Sequence, residues 1–500
     1  MFVILALVAL QCVFLLFWFY KFSQISTYIY IAILILEALL ALWMVNAETN
    51  AEMKIAWLIP ILIVPVFGTL FYVFVKSQMG SRKMHKKLVV EQEKTAPLLP
   101  QNDTVLEELK KEDPQAASLA RYMYNKGNYP VYAGCDYRYF SCGEELFPVL
   151  CEELLAAKES IFLEFFIVDP GLMWNTILGI LEQKVAEGVE VRFLYDGTCS
   201  FSVLPFSYPK QMEAKGIHCR PFSQVRPVLT TVQNNRDHRK ILVIDGKVAF
   251  TGGINMADEY INAIVRFGYW KDTMVEIRGE AVRTMTALFI QTWNMCAPDE
   301  EIAYQPYLDK AVTQNPEKKG FVLPFGENPL DDEQMAERLI EHIIDNSLHY
   351  VHLTTPYLML DQDMRTALTF AAKRGVDVHI IFPHVPDKWY AMAIGQTYMR
   401  ELINAGVKIS EYMPGFIHAK MVASDDVHAV VGTVNLDYRS LYLHYEDAVY
   451  CHDGAIAKEV EEDFRKTLAE CSPITAEWLK HRSVGMKISG RLLRVLAPLF

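Results

Sequence analysis

The sequence predicts an α/β protein with two similar halves related by a pseudo-two-fold axis and preceded by transmembrane helices. Three observations support this fold class. The first 76 residues carry long apolar runs, and from residue 129 short apolar runs alternate with amphipathic segments. A motif that begins at His238 recurs at His418, at a constant offset of 180 residues. A repeat of that length indicates a duplicated domain, and 500 residues suffice for two cores.

The amino-terminal region, residues 1–76, predicts a membrane anchor with spans at about 2–20, 27–46 and 55–75. Lys76 and the basic residues up to Lys87 are typical of a cytoplasmic flank. The acidic connection between positions 46 and 55 is expected on the outer side. A cleaved signal peptide is the alternative for the first run, but no basic segment precedes it. We therefore predict a multi-pass protein of the cell membrane whose remaining domains lie in the cytoplasm.

The rest of the chain divides into a polar cytoplasmic linker (77–128), a first α/β domain (129–310), a second (320–484) and a basic tail (485–500). Both domains are expected to contain a strand, a helix and a strand in the same order. These elements are 161–168, 177–187 and 189–195 in the first domain, and 350–355, 364–373 and 376–382 in the second. The tail is either an amphipathic helix on anionic lipid or a segment packed on the α/β domains.

Composition limits the function classes. The formal net charge of -12 argues against a broad surface for nucleic acid, which needs clustered Lys and Arg. Nine cysteines occur without CxxC pairs, which indicates reduced thiols rather than a disulfide framework. No group of His, Cys and Asp has the spacing of a metal site, so no metal and no cofactor are expected.

The repeated motif joins a histidine, a lysine and an aspartate to a glycine turn and an asparagine. The two copies are His238, Lys240, Asp245, Gly252 and Asn255, and His418, Lys420, Asp425, Gly432 and Asn435. On a strand, residues two apart share a face, so each histidine is expected beside its lysine. The cation would lower the pKa of the imidazole and keep it a neutral nucleophile, while the ammonium binds an anionic oxygen. One copy alone is a weak signal, whereas two copies in register are not coincidence.

These residues resemble the signature of the phospholipase D superfamily, H-x-K-x4-D followed by G-[GS]-x-N, used twice in one chain. The resemblance extends from about residue 130 to about residue 480. The segments 235–241, 252–260, 411–420 and 435–440, with the amino-terminal spans, are similar to bacterial cardiolipin synthases. The chain departs from that pattern at three places. Cys199 and Ser200 replace a Gly-Ser turn, Thr433 replaces the commoner Ser, and His444 stands where Asn is frequent.

The resemblance implies a metal-free phosphatidyl transfer with phosphatidylglycerol as donor and acceptor, giving cardiolipin and glycerol. One histidine, with a preference for His238, forms a phosphohistidine. The other protonates the leaving alcohol and then deprotonates the incoming hydroxyl. The implied catalytic set is His238, Lys240, Asp245, His418, Lys420 and Asp425, of which Asp245 and Asp425 are expected to act as structural supports. Lys240, Lys420, Asn255 and Asn435 are expected to bind the phosphate oxygens.

Two further acids are candidates for orienting the imidazoles. Asp272 and Glu446 each lie downstream of a motif copy, and each is expected to accept the proton of the second imidazole nitrogen. The alternative for both is a surface carboxylate. The expected partners are a phospholipid substrate and the membrane; the oligomeric state is left open.

Four other functions remain open at this point. A phospholipase D hydrolase would let water resolve the same intermediate, and a transphosphatidylase would use another alcohol. A nuclease of the superfamily is disfavoured by the acidity and the apolar spans. A non-catalytic scaffold is disfavoured because both motif copies are complete.

Overall fold

A computed structural model describes residues 27–499, except positions 48, 65, 78, 200–202, 225–234, 313–314, 316–317 and 332, together with the isolated positions 13, 17 and 21. The first predicted span, at about 2–20, therefore lies outside the described residues apart from positions 13 and 17.

Helices occupy the amino-terminal region, the linker and the faces of two sheets. They are α1 (Thr27–Asn46), α2 (Ala51–Ile63), α3 (Phe67–Ser77), α4 (Met79–Thr95), α5 (Asp103–Glu112), α6 (Pro114–Gly127), α7 (Gly143–Ala156), α8 (Leu172–Ala186), α9 (Tyr208–Glu213), α10 (Val282–Cys296), α11 (Gln305–Leu308), α12 (Met335–Asn346), α13 (Gln362–Lys373), α14 (Trp389–Asn404), α15 (Tyr438–Tyr442), α16 (Gly454–Leu468), α17 (Ala476–Lys480) and α18 (Val484–Leu496).

The strands form two large sheets and one small one. They are β1 (Tyr132–Ala133), β2 (Asp136–Phe140), β3 (Ser160–Phe165), β4 (Glu190–Asp196), β5 (His218–Phe222), β6 (Arg236–Asp237), β7 (Lys240–Ile244), β8 (Val248–Gly252), β9 (Tyr269–Lys271), β10 (Met274–Arg278), β11 (Phe321–Glu327), β12 (Tyr350–Thr354), β13 (Asp377–Pro383), β14 (Lys408–Tyr412), β15 (Gly415–Ile417), β16 (Met421–Ser424), β17 (His428–Gly432), β18 (His444–His452) and β19 (Cys471–Pro473).

The two large sheets share one topology. In the first half the strand order is β2-β10-β8-β7-β3-β4-β5, and in the second it is β1-β11-β18-β17-β16-β12-β13-β14-β19. The run β10-β8-β7-β3-β4-β5 therefore corresponds to β18-β17-β16-β12-β13-β14. In each run the last three strands are parallel and the others antiparallel. The predicted duplicated α/β fold is confirmed, and each of the six predicted elements overlaps an observed element of the same type.

Strands from one half also pair with strands from the other. β6 of the first half runs parallel to the start of β18, and β9 runs parallel to β15 of the second half. At these two places the backbone N–H of His238 donates to Tyr445 O (2.8 Å) and that of His418 to Lys271 O (2.7 Å). The seam between the halves is therefore fixed by main-chain hydrogen bonds beside each motif histidine.

The predicted third span, 55–75, is divided into two helices. α2 and α3 pack against each other as a hairpin, with Trp57 in contact with the Phe71 and Tyr72 rings. Pro60 and Gly68 meet at the crossing, where a Cβ on Gly68 would lie 2.4 Å from Pro60 O. Among the residues described, no helix combines the length and the apolar character needed to span a membrane.

The connection between α1 and α2 contacts the second half. The Asn50 amide donates to Asp361 Oδ2 and to Tyr442 Oη, both at 3.0 Å. Glu52 accepts hydrogen bonds from Arg365 and Tyr438. The sequence-based expectation placed this connection and the catalytic domains on opposite sides of the membrane. That expectation is wrong, because the two are in direct contact.

The predicted tail packs as a helix on the second half. Gly490 of α18 lies against α14, where an added Cβ would be 2.3 Å from Ala393 O. Arg494 stacks over the Tyr398 ring at 4.0 Å. The other face of α18 leaves Val484, Ile488 and Leu492 more than half exposed.

Candidate active site

A cleft of about 560 Å³ opens at the seam and contains both motif histidines. Its walls come from both halves and mix aromatic with charged side chains. They include Phe166, Tyr260 and Trp270 from the first half and Tyr357, Phe416 and Arg439 from the second. The structure thus brings two residues 180 positions apart, His238 and His418, to one cavity.

His238 is held by an acid from the other half. Its Nδ1 lies 2.7 Å from Glu446 Oε2, and both side chains are buried. The same carboxylate oxygen accepts a hydrogen bond from the Thr433 hydroxyl. The Phe166 ring meets the imidazole edge-on at 4.9 Å. Glu446 is therefore a buried partner of the first motif, although it follows the second motif in sequence.

His418 is held in the reciprocal way. Its Nδ1 lies 2.6 Å from Asp272 Oδ2, and Asp272 is fully buried in the first half. A Cβ on Gly253 would lie 1.9 Å from Asp272 Oδ1, so the glycine lets this carboxylate approach the turn. Neither candidate acid is a surface residue. Each lies beside the histidine of the opposite half, a crossing that the sequence did not reveal.

This pairing fixes the chemistry of both rings. A carboxylate that accepts from Nδ1–H leaves Nε2 as the free position, in the tautomer that can attack or take a proton. Burial, with further contributions from Lys240 and Lys420, lowers the pKa of His238 well below its usual range. Burial and Lys420 likewise lower the pKa of His418 to about 4. Both imidazoles are thus neutral near pH 7, as predicted, although burial outweighs the lysines as the cause.

The motif lysines lie beside the histidines and are buried. Lys240 Nζ donates to His238 O at 2.6 Å, and Lys420 Nζ donates to His418 O. Burial lowers the pKa of Lys240 to about 8 and that of Lys420 to about 7, against the attraction of Glu446 and Asp272. An ammonium group has three protons, so each lysine keeps donors for an anionic ligand.

Asn255 and Asn435 line the cleft at matching positions. The Asn255 amide donates to Tyr260 Oη (2.7 Å) and its oxygen accepts from Ile167 N (3.0 Å). The Asn435 amide donates to Ser440 Oγ at 3.1 Å, while its buried oxygen has no partner among the described residues. Each amide nitrogen carries a second proton that can be donated to a ligand in the cleft.

Asp245 and Asp425 lie away from the cleft. Each sits in the turn after its motif strand, with φ of 54° and 52°. Asp245 accepts from the backbone N–H groups of residues 158, 159 and 160, and Asp425 from those of residues 348, 349 and 350. These carboxylates join the β7–β8 turn to the start of β3 and the β16–β17 turn to the start of β12.

Two further cleft residues were not predicted as site residues. His444 is buried with its ring centroid 5.7 Å from that of His238, and neither of its ring nitrogens has a hydrogen-bond partner among the described residues. Arg439 lines the same wall, and its guanidinium forms no ion pair or hydrogen bond within the described part of the chain. The only sequence signal was His444 itself, at a position where the resemblance implies Asn.

The fold also assembles side chains of metal-ligating type that are distant in sequence. His238, His444 and Glu446 place ligand atoms within 4.8 Å of one another, as do Asp113, His428 and His452 in a second group outside the cleft. The spacing of these residues along the sequence does not predict either group, because His238 and Asp113 lie far along the chain from the other two members of their groups. In the first group the ammonium groups of Lys240 and Lys420 already supply positive charge beside the imidazole.

The family comparisons agree with this geometry. A family model described as "Cardiolipin synthase, PLD-like domain" matches residues 150–293 and 340–468, and one described as "Phospholipase_D-nuclease N-terminal" matches residues 29–76. Cardiolipin synthases of Geobacillus sp. and Alkalihalophilus pseudofirmus are 34% and 33% identical over 89% of this chain and 88% of theirs. An uncharacterized protein of Streptococcus mutans is 44% identical over 92% of this chain and 99% of its own.

The fold is also found in a solved structure. Phosphatidylserine synthase of Haemophilus influenzae matches 73% of this chain and 93% of its own, with a TM-score of 0.56 and 14% identity. Two His–Lys motifs that meet at one seam define a protein of the phospholipase D superfamily. Within that superfamily, the chain belongs to the bacterial cardiolipin synthase family.

Proposed function

We propose that this protein transfers a phosphatidyl group from one phosphatidylglycerol to another, giving cardiolipin and glycerol. The observation that carries the proposal is the pair of buried, neutral imidazoles, His238 and His418, that line one cleft and are each held through Nδ1 by an acid. The family match points to this substrate class.

In the first step His238 Nε2 attacks the phosphorus of the donor lipid. The P–N bond forms as the P–O bond to the glycerol head group breaks, and the departing oxygen takes a proton from His418 Nε2. His418 must be protonated for this step. The phosphodiester anion provides that condition, because its negative charge between the two lysines raises the pKa of the nearby imidazole.

In the second step the acceptor hydroxyl gives its proton to His418 Nε2 while its oxygen attacks phosphorus. The P–N bond breaks and its electron pair returns to His238 Nε2, so both histidines regain their initial states. Lys240, Lys420 and the free amide protons of Asn255 and Asn435 hold the non-bridging oxygens throughout. Positive charge and positioning are what such a transfer requires from the protein.

The wall of the cleft that carries Arg439 and His444 is the proposed binding place for the acceptor lipid. An acceptor phosphatidylglycerol has a phosphate of its own, a few bonds from the attacking hydroxyl. Arg439 is the cation available for that phosphate, because Arg266 is paired with Glu259 (2.7 Å) and Lys388 with Tyr357 and Asp387 (2.7 and 3.4 Å). His444 Nδ1 lies 3.8 Å from Glu446 Oε1, and its Nε2 has no hydrogen-bond partner among the described residues, so Nε2 is suited to bind a glycerol hydroxyl.

The amino-terminal region is proposed to anchor these halves to the cytoplasmic face of the cell membrane. Helix α1 exposes Leu36, Leu39 and Leu42, and the hairpin exposes Leu62 and Ile63 at its turn. Because Asn50 and Glu52 contact the second half, the start of α2 lies on the catalytic side, and the packing of α3 against α2 brings the end of α3 back toward that side. The apolar turn of the hairpin then enters the membrane and returns to the same side. Labelling of an Asn46→Cys variant from the cytoplasmic side alone is expected.

The reaction is tested with detergent-purified protein and labelled phosphatidylglycerol, with products identified by mass. Cardiolipin and glycerol are expected in equal amounts, with and without EDTA. Phosphatidic acid in place of cardiolipin would establish a hydrolase, and loss of activity in EDTA would contradict the metal-free mechanism and direct attention to His238, His444 and Glu446. Unchanged cellular cardiolipin after single replacement of His238 and His418 would overturn the catalytic role.

A further inference from the structure

A second cavity, outside the cleft, concentrates positive charge on an acidic protein. It measures about 390 Å³ and lies between α14, α17 and α18. Its walls carry six basic side chains and no acidic one: Arg400, Lys480, Arg482, Lys487, Arg491 and Arg494. The whole chain has a formal net charge of -12, so this concentration is not a consequence of composition.

Most of these cations have no countercharge among the residues that the structure describes. Arg400 and Arg491 form no ion pair or side-chain hydrogen bond to any described residue, and Lys487 and Arg494 donate only to the backbone oxygens of Lys480 (2.7 Å) and Thr397 (3.3 Å). Lys480 pairs with exposed Glu477 at 2.9 Å. Local repulsion among so many like charges costs stability unless an anion is bound.

Arg482 is the basic residue of this cavity whose side-chain donors most need a hydrogen-bond acceptor. Its Nε and Nη2 atoms are buried and have no hydrogen-bond partner among the described residues. Burial also lowers the pKa of this guanidinium. A buried donor that is left unpaired lowers the free energy of unfolding, and the two parallel N–H groups of a guanidinium match the oxygens of a phosphate. The site is therefore built for an oxyanion ligand.

Helix α18 connects the cavity to the proposed membrane surface. Lys487, Arg491 and Arg494 recur at helical spacing on the cavity side, and exposed Val484, Ile488, Leu492 and Val495 recur on another face. The 3₁₀ turn that follows, Ala497–Leu499, packs on α2 of the apolar hairpin. An amphipathic helix with this arrangement lies at the boundary between head groups and acyl chains.

We propose that this cavity binds the phosphate head group of an anionic phospholipid at a site separate from the catalytic cleft. The unpaired cations take the phosphate, and the apolar stripe of α18 lies along the acyl chains. The site rests on the proposed membrane attachment but not on the identity of the reaction. A bound lipid would secure the second half to the membrane from which the cleft draws its substrate.

The test uses the detergent-purified full chain in the His238→Ala background, so that no turnover is needed. A diazirine-bearing phosphatidylglycerol is cross-linked in neutral-detergent micelles, and labelled peptides are mapped by mass spectrometry. The double variant Arg482→Gln, Arg491→Gln removes two charges. The control is Arg121→Gln, an exposed arginine on α6 without an ion pair among the described residues.

Labelling of residues 476–494 is expected, with competition by cardiolipin and none by phosphatidylcholine. The double variant should lose it by about tenfold or more, the effect of removing one charged hydrogen-bond pair. Labelling of the cleft segment 264–271 should persist in that variant, which shows that it is folded, and Arg121→Gln should match the parent. Equal labelling of 476–494 in the double variant would overturn the proposal. Displacement by millimolar inorganic phosphate would instead assign the site to free phosphate.

Discussion

The Nδ1 atom of His238 lies 2.7 Å from Glu446 Oε2, and the two residues belong to different halves of the molecule. The relationship is reciprocal, since His418 of the second half lies 2.6 Å from Asp272 of the first. Neither half alone contains an oriented imidazole. The duplication is therefore required for the site itself, beyond supplying two copies of a motif.

We expect His238 to carry the covalent intermediate. His238→Ala should abolish trapping of a phosphatidyl-enzyme and lower transfer by at least about a hundredfold, the lower range for loss of an acid–base or nucleophilic group. His418→Ala should still form the intermediate from a lipid with a p-nitrophenol leaving group, which needs no proton. Acid quenching and mass spectrometry of the peptide that contains residue 238 measure the adduct. An adduct that persists in His238→Ala would reverse the assignment.

The crossed acids should affect different steps. Glu446→Gln disturbs the imidazole of His238, which attacks phosphorus, and Asp272→Asn disturbs that of His418, which donates and accepts protons. Each substitution should lower kcat by about 10²- to 10⁴-fold with phosphatidylglycerol. With the p-nitrophenol lipid, formation of the intermediate should recover in Asp272→Asn and stay slow in Glu446→Gln. Rapid-quench measurement of p-nitrophenol release separates them. Identical behaviour of the two variants would contradict distinct roles.

The buried lysines predict an alkaline limit on activity. The pKa values of about 8 for Lys240 and about 7 for Lys420 mean that the free protein loses its phosphate-binding charges as pH rises through these values. We expect kcat/KM to fall with increasing pH across this range, whereas an exposed lysine would stay charged. In Lys420→Arg the fall in kcat/KM at about pH 7 should disappear and the fall at about pH 8 should remain, because a guanidinium stays protonated in this range. A flat profile up to pH about 9.5 would refute this cause.

The sequence predicts the structural features that are set by residues close together in the chain, and it does not predict contacts between distant segments. The strands and helices around β3 and β12 follow from local periodicity, and the motif pair predicted that both histidines and their neighbouring lysines would come together. The exchange of acids between halves did not follow, because it depends on β6 pairing with β18 and β9 with β15 across the seam. The sequence likewise did not predict the contact of Glu52 with Arg365, because the acidic character of the connection between positions 46 and 55 suggested the outer side of the membrane.

Asp245 is expected to affect stability more than chemistry. It accepts three backbone N–H groups of residues 158–160, between 2.7 and 2.9 Å, from a turn outside the cleft. Asp245→Ala leaves these donors unsatisfied and should lower the free energy of unfolding by about 1–3 kcal/mol. Denaturant unfolding and kcat per folded molecule are the measurements. Asp425→Ala should act in the same way, and a loss of kcat above a hundredfold with unchanged stability would place these residues in the chemistry.

Arg439 should discriminate between anionic and neutral acceptors. Transfer to a second phosphatidylglycerol brings a second phosphate into the cleft, whereas exchange with labelled free glycerol uses the same histidines and no second anion. Arg439→Ala should therefore raise KM for the lipid acceptor by about tenfold or more, the scale of one charged contact, and leave glycerol exchange nearly unchanged.

Arg266→Ala is the matched control for this comparison, because Arg266 also lines the cleft but is neutralised by Glu259. The ratio of lipid transfer to glycerol exchange should fall in Arg439→Ala and stay constant in Arg266→Ala. His444→Asn, which keeps a hydrogen-bonding side chain, should retain more lipid transfer than His444→Leu. A proportional loss of both reactions in Arg439→Ala would show that this arginine acts on the donor phosphate instead. Absence of both reactions in the unmodified protein would refute the proposed transfer itself.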